Sequence, residues 1–262
     1  MTCETEMAVG KLDGKAAIVT GGAKGIGRHY CMALADEGAQ VMVADIVDGA
    51  EVAREITAKH GQGTAESVVF DVCDEKAVKR LVSRTLERFG RIDVLVNNAA
   101  LFATLPYTAM TEIDAELWDK VMAVNVRGPF FMVKHVIPHM KGKKYGKIIN
   151  IGSGTAKKGM PNLLHYVTSK GAITSMTRAM SRELGGDGIC VNTLAPGLIM
   201  SDSILESGTH SAAVVNSVVQ SRALKRDAFP ADLLGALVFL ASPESDFITG
   251  QVIAVDGGST NT

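Results

Sequence analysis

The sequence has almost no net charge that would attract a polyanion. It carries 27 basic and 28 acidic residues, for a formal net charge of −1, and this balance gives no reason to expect nucleic acid or an anionic membrane as a partner. The basic run 141–144 is short, and its only aromatic neighbour is Tyr145, which is typical of a solvated loop. We therefore expect no nucleic-acid partner and no membrane partner.

Cysteines are few and scattered, and long apolar runs are missing. The four cysteines, at positions 3, 31, 73 and 190, form no C-x-x-C motif, so they indicate neither a disulfide framework nor a zinc site. No apolar run approaches the length of a membrane span, and residues 1–6 are polar and acidic, unlike a secretory signal. The expectation is a cytoplasmic protein with free thiols.

Short apolar runs alternate along the chain with longer segments of helical periodicity. The strand candidates are 16–20, 41–45, 67–70, 94–97, 147–151, 190–194 and 252–255, and the helix candidates are 25–38, 49–60, 75–89, 114–140, 163–185 and 230–241. Because the strands are continuously apolar, they predict a sheet buried on both faces. The alternation predicts parallel strands with right-handed crossovers, so residues 1–262 are predicted to form a single doubly wound, Rossmann-like α/β domain.

A glycine-rich turn follows the first strand candidate. The segment Thr20-Gly21-Gly22-Ala23-Lys24-Gly25-Ile26-Gly27 lies between the apolar run 16–19 and a helix-like stretch. Glycines at 21, 25 and 27 would let the backbone approach a pyrophosphate, and the helix that follows would direct its N-terminus at the negative charge. The order strand, turn, helix predicts a dinucleotide site. The alternative is a tight glycine turn without a ligand.

Asp45 ends the second strand candidate, where it bears on the choice of dinucleotide. A carboxylate there would accept hydrogen bonds from the adenosine ribose and repel a 2′-phosphate, which favours NAD over NADP. Lys24 argues the other way, because a basic residue beside the phosphates attracts a 2′-phosphate, but Ile46 adds no second positive charge. We expect the carboxylate to decide in favour of NAD. In the alternative interpretation, Asp45 only caps the next helix.

Tyr166 and Lys170 stand four residues apart and share one face of a helix if this segment is helical. Alone, such a pair is most simply a surface pair. Together with a nucleotide site, it indicates hydride chemistry in which a phenol gives or takes the proton. A free phenol has a pKa of about 10. We expect the positive charges of Lys170 and of the nicotinamide ring to lower the pKa of Tyr166.

Jointly, these motifs resemble the classical short-chain dehydrogenase/reductase family over residues 15–258. The resemblance is carried by Thr20-Gly21-x-x-x-Gly25-Ile26-Gly27, Asp71-Val72, Asn97-Asn98-Ala99-Ala100, Asn125, Ser153, Tyr166-x-x-x-Lys170, Pro196-Gly197 and Asp256-Gly257-Gly258. Two departures are Ala100, where the family usually has glycine, and Ser201, where it often has threonine. The resemblance implies a parallel sheet of seven strands in the order 3-2-1-4-5-6-7. It also implies a homotetramer with helices 114–140 and 163–185 at its interfaces.

The same resemblance implies roles for individual residues. Tyr166 would exchange a proton with the substrate oxygen, and Lys170 would bind the nicotinamide ribose. Ser153 would polarise the carbonyl, and Asn125 would hold a water that links Lys170 to solvent. Taken singly, Ser153 could be a turn serine and Asn125 a buried, satisfied amide. The expected cofactor contacts are Gly21, Lys24, Gly25, Ile26, Gly27, Asp45, Asp71, Val72, Asn98, Ala99, Tyr166, Lys170, Pro196, Gly197, Ile199 and Ser201.

The long connection 197–226 is a candidate for a lid over the substrate. The expected substrate pocket consists of Leu101, Phe102, Thr155, Met160 and Leu164. The sequence offers no obvious cationic clamp there, so we expect a neutral substrate that is apolar or carries a ring. The predicted function is NAD-dependent interconversion of a secondary alcohol and a ketone.

Two other functions stay open at this point. An NADPH-dependent 3-oxoacyl-carrier-protein reductase shares the implied fold but usually has no acid at the position of Asp45. A non-catalytic dinucleotide sensor typically lacks the Tyr or the Lys that this chain keeps. A metal site is not expected, because Pro138 lies between His135 and His139 and no third ligand is evident.

Overall fold

The computed structural model describes residues 10–208 and 211–260. Its strands are β1 (Ala16–Thr20), β2 (Gln40–Asp45), β3 (Ala65–Val69), β4 (Val94–Asn97), β5 (Gly146–Ile151), β6 (Ile189–Pro196) and β7 (Val252–Val255). All pair in parallel, in one sheet with the order β3-β2-β1-β4-β5-β6-β7. This confirms the predicted doubly wound α/β fold with its seven-stranded sheet.

Helices cover both faces of this sheet. In the described ranges they are α1 (Gly25–Asp36), α2 (Ala50–His60), α3 (Glu75–Phe89), α4 (Ala115–Met122), α5 (Gly128–Lys141), α6 (Thr155–Lys158), α7 (Leu164–Leu184), α8 (Asp202–Ser207), α9 (Ala212–Ser221) and α10 (Ala231–Ala241). A π-helical turn, Ala123–Arg127, joins α4 to α5. Within these ranges, no helix has both the length and the apolar character needed to cross a bilayer.

Two cores lie on opposite faces of the sheet because successive residues of a strand point in opposite directions. Ala17 and Val19 of β1 pack into the core that includes α1, α2 and α10. Their neighbours Ala16 and Ile18 pack into the second core, with α3 and α5. Both faces of β1 are therefore apolar, which explains why its sequence is continuously apolar rather than alternating.

Asp93, the residue before β4, connects three strands at the end of the sheet remote from the glycine turn. Its buried carboxylate accepts a hydrogen bond from the backbone N–H of Ala16 at 2.9 Å and pairs with the guanidinium of Arg91. Its carbonyl oxygen accepts from the backbone N–H of Lys147 at 2.8 Å. This one residue therefore fixes the starts of β1 and β5 relative to β4.

The sequence pattern misjudged two connections. The helix predicted over 114–140 is interrupted by the π turn, which the apolar periodicity does not reveal. No helix was predicted within the long connection 197–226, but it contains α8 and α9, and Ser211 caps α9 by accepting from the N–H of Val214. Residues 209 and 210 of this connection lie outside the described residues.

Candidate active site

The glycine turn after β1 has no room for side chains. A Cβ atom on Gly27 would lie 1.9 Å from the carbonyl oxygen of Gly21, and Gly21 and Gly25 have φ angles of 65° and 52°. The side-chain amide of Asn98 donates to the carbonyl oxygens of Thr20 and Gly21, both at 3.0 Å. The end of β4 thus holds the turn in its tight conformation.

This turn leaves the start of α1 suited to an anion. In the part of the chain that the structure describes, no side chain caps α1, and its first turn carries no acidic residue. The first N–H groups of a helix are unpaired within the helix and carry partial positive charge, so they bind phosphate well. The close backbone and the uncapped helix fit the pyrophosphate of a dinucleotide.

Asp45 and Asp71 follow β2 and β3 and line the cavity that also contains the glycine turn. The Asp45 carboxylate accepts from the backbone N–H of Ala23 at 2.9 Å and from that of Val47 at 3.2 Å. These bonds tie the end of β2 to the glycine turn and orient the carboxylate. Asp71 accepts from the N–H of Cys73 at 2.8 Å, which fixes the turn after β3. Asp45 does not cap α2 through its side chain, because that helix begins after Gly49 without a side-chain cap.

The predicted cofactor residues line one cavity of about 460 Å³ at the carboxyl edge of the sheet. All sixteen of them contribute to its lining: Gly21, Lys24, Gly25, Ile26, Gly27, Asp45, Asp71, Val72, Asn98, Ala99, Tyr166, Lys170, Pro196, Gly197, Ile199 and Ser201. Ser203 of α8 also lines the cavity and was not predicted. A Cβ on Gly25 would come within 2.6 Å of its hydroxyl oxygen, so α8 closes over the glycine turn.

Ser153, Tyr166 and Lys170 meet in the same cavity. Ser153 follows β5, and its hydroxyl oxygen accepts from the hydroxyl of Thr155 at 2.9 Å and makes a side-chain hydrogen bond with Tyr166. Lys170, one turn further along α7, donates from Nζ to the carbonyl oxygen of Ile151 at 2.7 Å. Nζ lies 5.7 Å from the centre of the Tyr166 ring.

Burial changes the proton affinities of these groups. It raises the pKa of Tyr166 to about 12, and the hydrogen bond with Ser153 opposes part of that rise. It lowers the pKa of Lys170 to about 8. Burial is the largest cause of both shifts. The expectation of a lowered Tyr166 pKa invoked the charge of the nicotinamide ring as well as that of Lys170, and it stays a prediction for the protein with bound cofactor.

Asn125 lies in the π turn behind the cavity and does not line it. Its side-chain amide donates to the carbonyl oxygen of Leu101 at 3.2 Å and to the hydroxyl of Ser169 at 3.1 Å, and its oxygen accepts from the N–H of Leu101 at 2.8 Å. The side chain therefore fixes the loop after β4 against α7. A role of its backbone in a water link to Lys170 stays a prediction.

Apolar side chains line the cavity beside Tyr166. The ring of Phe102 stacks on that of Tyr166, with centroids 4.6 Å apart and planes inclined by 30°. Four residues predicted for the substrate pocket line the cavity: Leu101, Phe102, Thr155 and Met160. Leu164 does not: it is 43% exposed at the start of α7, and the preceding residue, Leu163, is the one that packs with Tyr166.

Several residues that line the substrate end were not predicted. They come from α6, from α9 and from the segment after β7: Lys158, Val214, Val218, Ser221, Arg222, Asp256, Ser259 and Thr260. Two of them, Lys158 and Arg222, are cations, and the residues predicted for the substrate pocket include no cation. These segments reach the cavity only through the way α9 and the segment after β7 fold, and no local sequence motif predicts this arrangement.

No metal centre emerges from the described residues, which contain no group of three or more His, Cys, Asp and Glu side chains placed to hold an ion. His135, one of the two histidines considered for a metal, contacts the Glu75 carboxylate at 2.8 Å through Nε2. That carboxylate also pairs with Lys134, so His135 belongs to a polar contact between α3 and α5.

Comparison with known proteins identifies the family. A family model described as enoyl-(acyl carrier protein) reductase matches residues 21–260. The fold, the glycine turn and the grouping of Ser153, Tyr166 and Lys170 agree with this match, and the chain belongs to the short-chain dehydrogenase/reductase family. Members of this family are oxidoreductases that use a nicotinamide dinucleotide.

Similar proteins with several activities match over nearly the whole chain. The chain is 37% identical to a sorbitol dehydrogenase of Cereibacter sphaeroides and 38% identical to a galactitol 2-dehydrogenase of Agrobacterium fabrum, each covering 95% of this chain and 98% of the relative. It is 35% identical to a 3-oxoacyl-acyl-carrier-protein reductase of Thermotoga maritima, with the same coverage. A crystal structure from Agrobacterium tumefaciens, described as a candidate gluconate dehydrogenase, superimposes with a TM-score of 0.87 at 32% identity, covering 95% of this chain and 96% of that one.

Proposed function

We propose that this protein is an NAD-dependent dehydrogenase that interconverts a secondary alcohol and a ketone. The observation that carries the proposal is the grouping of Ser153, Tyr166 and Lys170 beside the glycine turn, in one cavity. A bound nicotinamide dinucleotide supplies the hydride acceptor or donor. The side chains of the protein supply the proton transfer and the orientation of the substrate.

The substrate oxygen would lie between the hydroxyls of Ser153 and Tyr166, which line the same cavity. In ketone reduction, Tyr166 donates its proton to the developing alkoxide, and Ser153 stabilises that oxygen by a hydrogen bond. In alcohol oxidation, Tyr166 must first lose its proton. Lys170 assists this loss when it carries its positive charge, because a nearby cation stabilises the phenolate.

The preference for NAD rests on Asp45. Its carboxylate is held at the end of β2 by two backbone N–H groups and lines the cavity where the adenosine ribose of a dinucleotide would lie. Ile46, beside it, is 67% exposed and offers no positive charge to a 2′-phosphate. Lys24 also lines this end of the cavity, and its charge is the feature that an NADP preference would use.

For the substrate we propose a small molecule with an apolar or ring-bearing body. Leu101, Phe102, Met160, Val214 and Val218 present aliphatic and aromatic surface to the cavity. The relatives named as sorbitol and galactitol dehydrogenases also act, by name, on molecules with secondary alcohols. The segment 197–226, with α8 and α9, would act as the lid. A carrier-protein reductase remains the second candidate, because a relative of that name is 35% identical.

The decisive experiment measures initial rates on a panel of secondary alcohols, with NAD and with NADP, and on the matching ketones with the reduced forms. The panel contains cyclic and aryl alcohols, polyols and a 3-oxoacyl-carrier-protein substrate. Tyr166→Phe, prepared in parallel, is the control for contaminating host dehydrogenases. The proposal predicts that the unmodified protein oxidises an alcohol with NAD and that the Tyr166→Phe variant does not. Nucleotide binding without turnover of any panel member would instead favour a dinucleotide sensor.

We further propose a homotetramer in the cytoplasm. Phe130 of α5 is 45% exposed and borders a shallow depression with Met122, Val126 and Met176, on the helices expected at the interfaces. The thiols of Cys31, Cys73 and Cys190 are unpaired, which suits a reducing compartment. Light scattering coupled to gel filtration tests the assembly, and Phe130→Glu should reduce its mass by burying a charge in the interface.

A further inference from the structure

Three side chains at the substrate end of the cavity form a polar cluster that the proposed reaction does not use. Nζ of Lys158 donates to the hydroxyl oxygen of Ser221 at 3.3 Å and to that of Ser259. The two hydroxyl oxygens are 2.9 Å apart. These three residues, all of which line the cavity, are called the Lys158 cluster below.

The cluster joins three separate segments near the catalytic serine. Lys158 ends α6, whose first residue, Thr155, hydrogen-bonds to Ser153. Ser221 ends α9, in the candidate lid, and Ser259 belongs to the segment after β7. Since α6 is a single helical turn, Lys158 lies about 4.5 Å along the helix axis from Thr155. A ligand that binds at Ser153 and extends along α6 would therefore reach the cluster.

The segment that carries Ser259 is rigidly placed. The carboxylate of Asp256 accepts from the backbone N–H groups of Gly258 and Ser259, both at 3.0 Å, and from the hydroxyl of Thr260 at 2.7 Å. These bonds use both carboxylate oxygens inside the segment. Asp256 consequently shapes the position of Ser259 and is not the ion-pair partner of Lys158.

The cluster has an excess of positive charge. Among the described residues, no carboxylate lies within 4.0 Å of Nζ of Lys158, whose hydrogen bonds go to hydroxyl groups. Arg222, which follows Ser221, is only 3% exposed and also lines the cavity. Its guanidinium donates to the carbonyl oxygens of Leu198 and Arg226, both at 2.6 Å, and its Nε has no protein partner. Two cations and one internally bonded carboxylate therefore face this end.

Apolar side chains line the same cavity, among them Met160, Ile204, Val214 and Val218. Apolar side chains favour methylene or ring carbons. The Lys158 cluster offers an ammonium and the hydroxyl of Ser259, whereas the hydroxyl of Ser221 donates to the carbonyl oxygen of Val218 at 2.8 Å. An ammonium and a hydroxyl suit an anionic oxygen ligand. The cavity thus combines catalytic hydroxyls, apolar side chains and a cationic cluster.

We propose that the substrate carries a carboxylate at the end remote from its reacting carbinol, and that the Lys158 cluster binds this carboxylate. The inference rests on the proposed dehydrogenase function and narrows its substrate class to hydroxy acids with an apolar middle. Lys158 donates to one carboxylate oxygen, and the hydroxyl of Ser259 turns from Ser221 toward the ligand, while the hydroxyl of Ser221 keeps its hydrogen bond to Val218. Because Ser221 belongs to α9, the bound carboxylate also holds the candidate lid against the cavity.

The test compares straight-chain methyl carbinols that end in a carboxylate with carbinols of equal length that end in a methyl group, a primary amide or a hydroxyl. The unmodified enzyme should show a kcat/KM about tenfold higher for the carboxylate series, and added salt should reduce that ratio. Lys158→Met should bring the ratio close to one, and Lys158→Arg should retain most of it. Lys157→Met is the matched control, because Lys157 is an exposed neighbour on α6 that does not line the cavity, and it should leave the ratio unchanged.

Equal rates for the carboxylate and methyl series, a preference for the hydroxyl series, or a carboxylate preference that survives Lys158→Met would each overturn the proposal. Calorimetry measures the affinity of the protein for the corresponding ketones in the presence of NAD. It separates a failure of the carboxylate site from a failure of the dehydrogenase assignment. Selective binding of the keto acid that depends on Lys158, without turnover of any carbinol, would refute the dehydrogenase function and leave the carboxylate site standing. Equal binding of acid and methyl ketones would refute the carboxylate site.

Discussion

The ring of Phe102 covers one face of the Tyr166 ring, at a centroid distance of 4.6 Å, and so helps to keep water from the phenol. Tyr166 is 5% exposed, and its burial is the largest cause of its raised pKa. The loop after β4 that carries Phe102 is in turn fixed by the hydrogen bonds between Asn125 and Leu101. Phe102 therefore influences both the position and the acidity of the phenol.

Phe102→Ala should move the pH dependence of alcohol oxidation to lower pH. Oxidation needs the phenolate of Tyr166, so its rate rises with pH through the pKa of that group, and hydration after loss of the ring lowers this pKa. The maximal rate should fall several-fold, because the phenol is held less firmly. Profiles of kcat against pH test this, with the fully exposed Phe247→Ala as control. A midpoint that stays in place or moves upward contradicts the argument.

Tyr166→Phe and Lys170→Ala should differ in their effect on cofactor binding. Tyr166→Phe removes only the hydroxyl, so kcat should fall at least about a hundredfold while the affinity for NADH stays nearly unchanged. Lys170→Ala should reduce kcat and weaken NADH binding together, because Lys170 is expected to serve both the ribose and the phenol. Fluorescence titration with NADH and steady-state rates measure the two effects. Substantial activity in Tyr166→Phe would mean that another group transfers the proton.

Asp45 should set the cofactor preference. We expect kcat/KM with NAD to exceed that with NADP by at least roughly tenfold, which corresponds to about 1.4 kcal/mol. Asp45→Ala should narrow this ratio, mainly by improving the use of NADP, since repulsion of the 2′-phosphate is removed. Lys24→Met tests the opposing charge and should widen the ratio. If the unmodified enzyme uses NADP as well as NAD, then Lys24 rather than Asp45 determines the cofactor preference.

Helix α9 should become ordered when ligands bind. Within the described chain, α9 is rich in alanine and valine, yet none of its residues is fully buried, so little apolar packing holds it in place. Val214 and Val218 line the cavity and would gain apolar contacts from a substrate. Hydrogen exchange in residues 211–224 should slow on addition of NAD with a substrate, while α3 serves as the unaffected reference. Full protection without ligands would contradict a lid role.

Asp93→Ala should lower the stability without touching the cavity. It removes an ion pair with Arg91 and leaves the buried N–H of Ala16 without its acceptor, which should lower the free energy of unfolding by about 2 kcal/mol. The exposed ion pair between Asp36 and Lys59 provides the control. Asp36→Ala should lower the free energy of unfolding by no more than about 1 kcal/mol. Chemical denaturation of both variants makes the comparison.

The elements that the sequence predicted well are those whose environment is uniform. β1, buried on both faces, was predicted over 16–20, where the structure has it. The cofactor residues follow the strand ends, and parallel strands bring their carboxyl ends together, so local motifs suffice to locate them. The π turn escaped prediction because one extra residue in a helical turn leaves the apolar spacing on either side intact.

The substrate end of the cavity was predicted least well, for two physical reasons. Lys158, Ser221 and Ser259 come from three segments whose meeting depends on how α9 and the end of the chain fold, and each residue alone is an ordinary surface residue. Leu164 was predicted in the pocket, but it is 43% exposed, whereas its neighbour Leu163 is buried against Tyr166. A difference of one residue along the chain decides which of two leucines is buried.

The π turn Ala123–Arg127 makes the chain length between α4 and α5 as important as its composition. Residues on either side are anchored, Val121 in one apolar cluster and Met132 in another. Deletion of a single residue between these anchors would still allow an ordinary α-helix to form, but it would rotate the following residues by about 100° relative to the preceding ones. Asn125 would then no longer reach both Leu101 and Ser169. Redesign of this protein can therefore exchange side chains in this stretch more safely than it can shorten it by one residue.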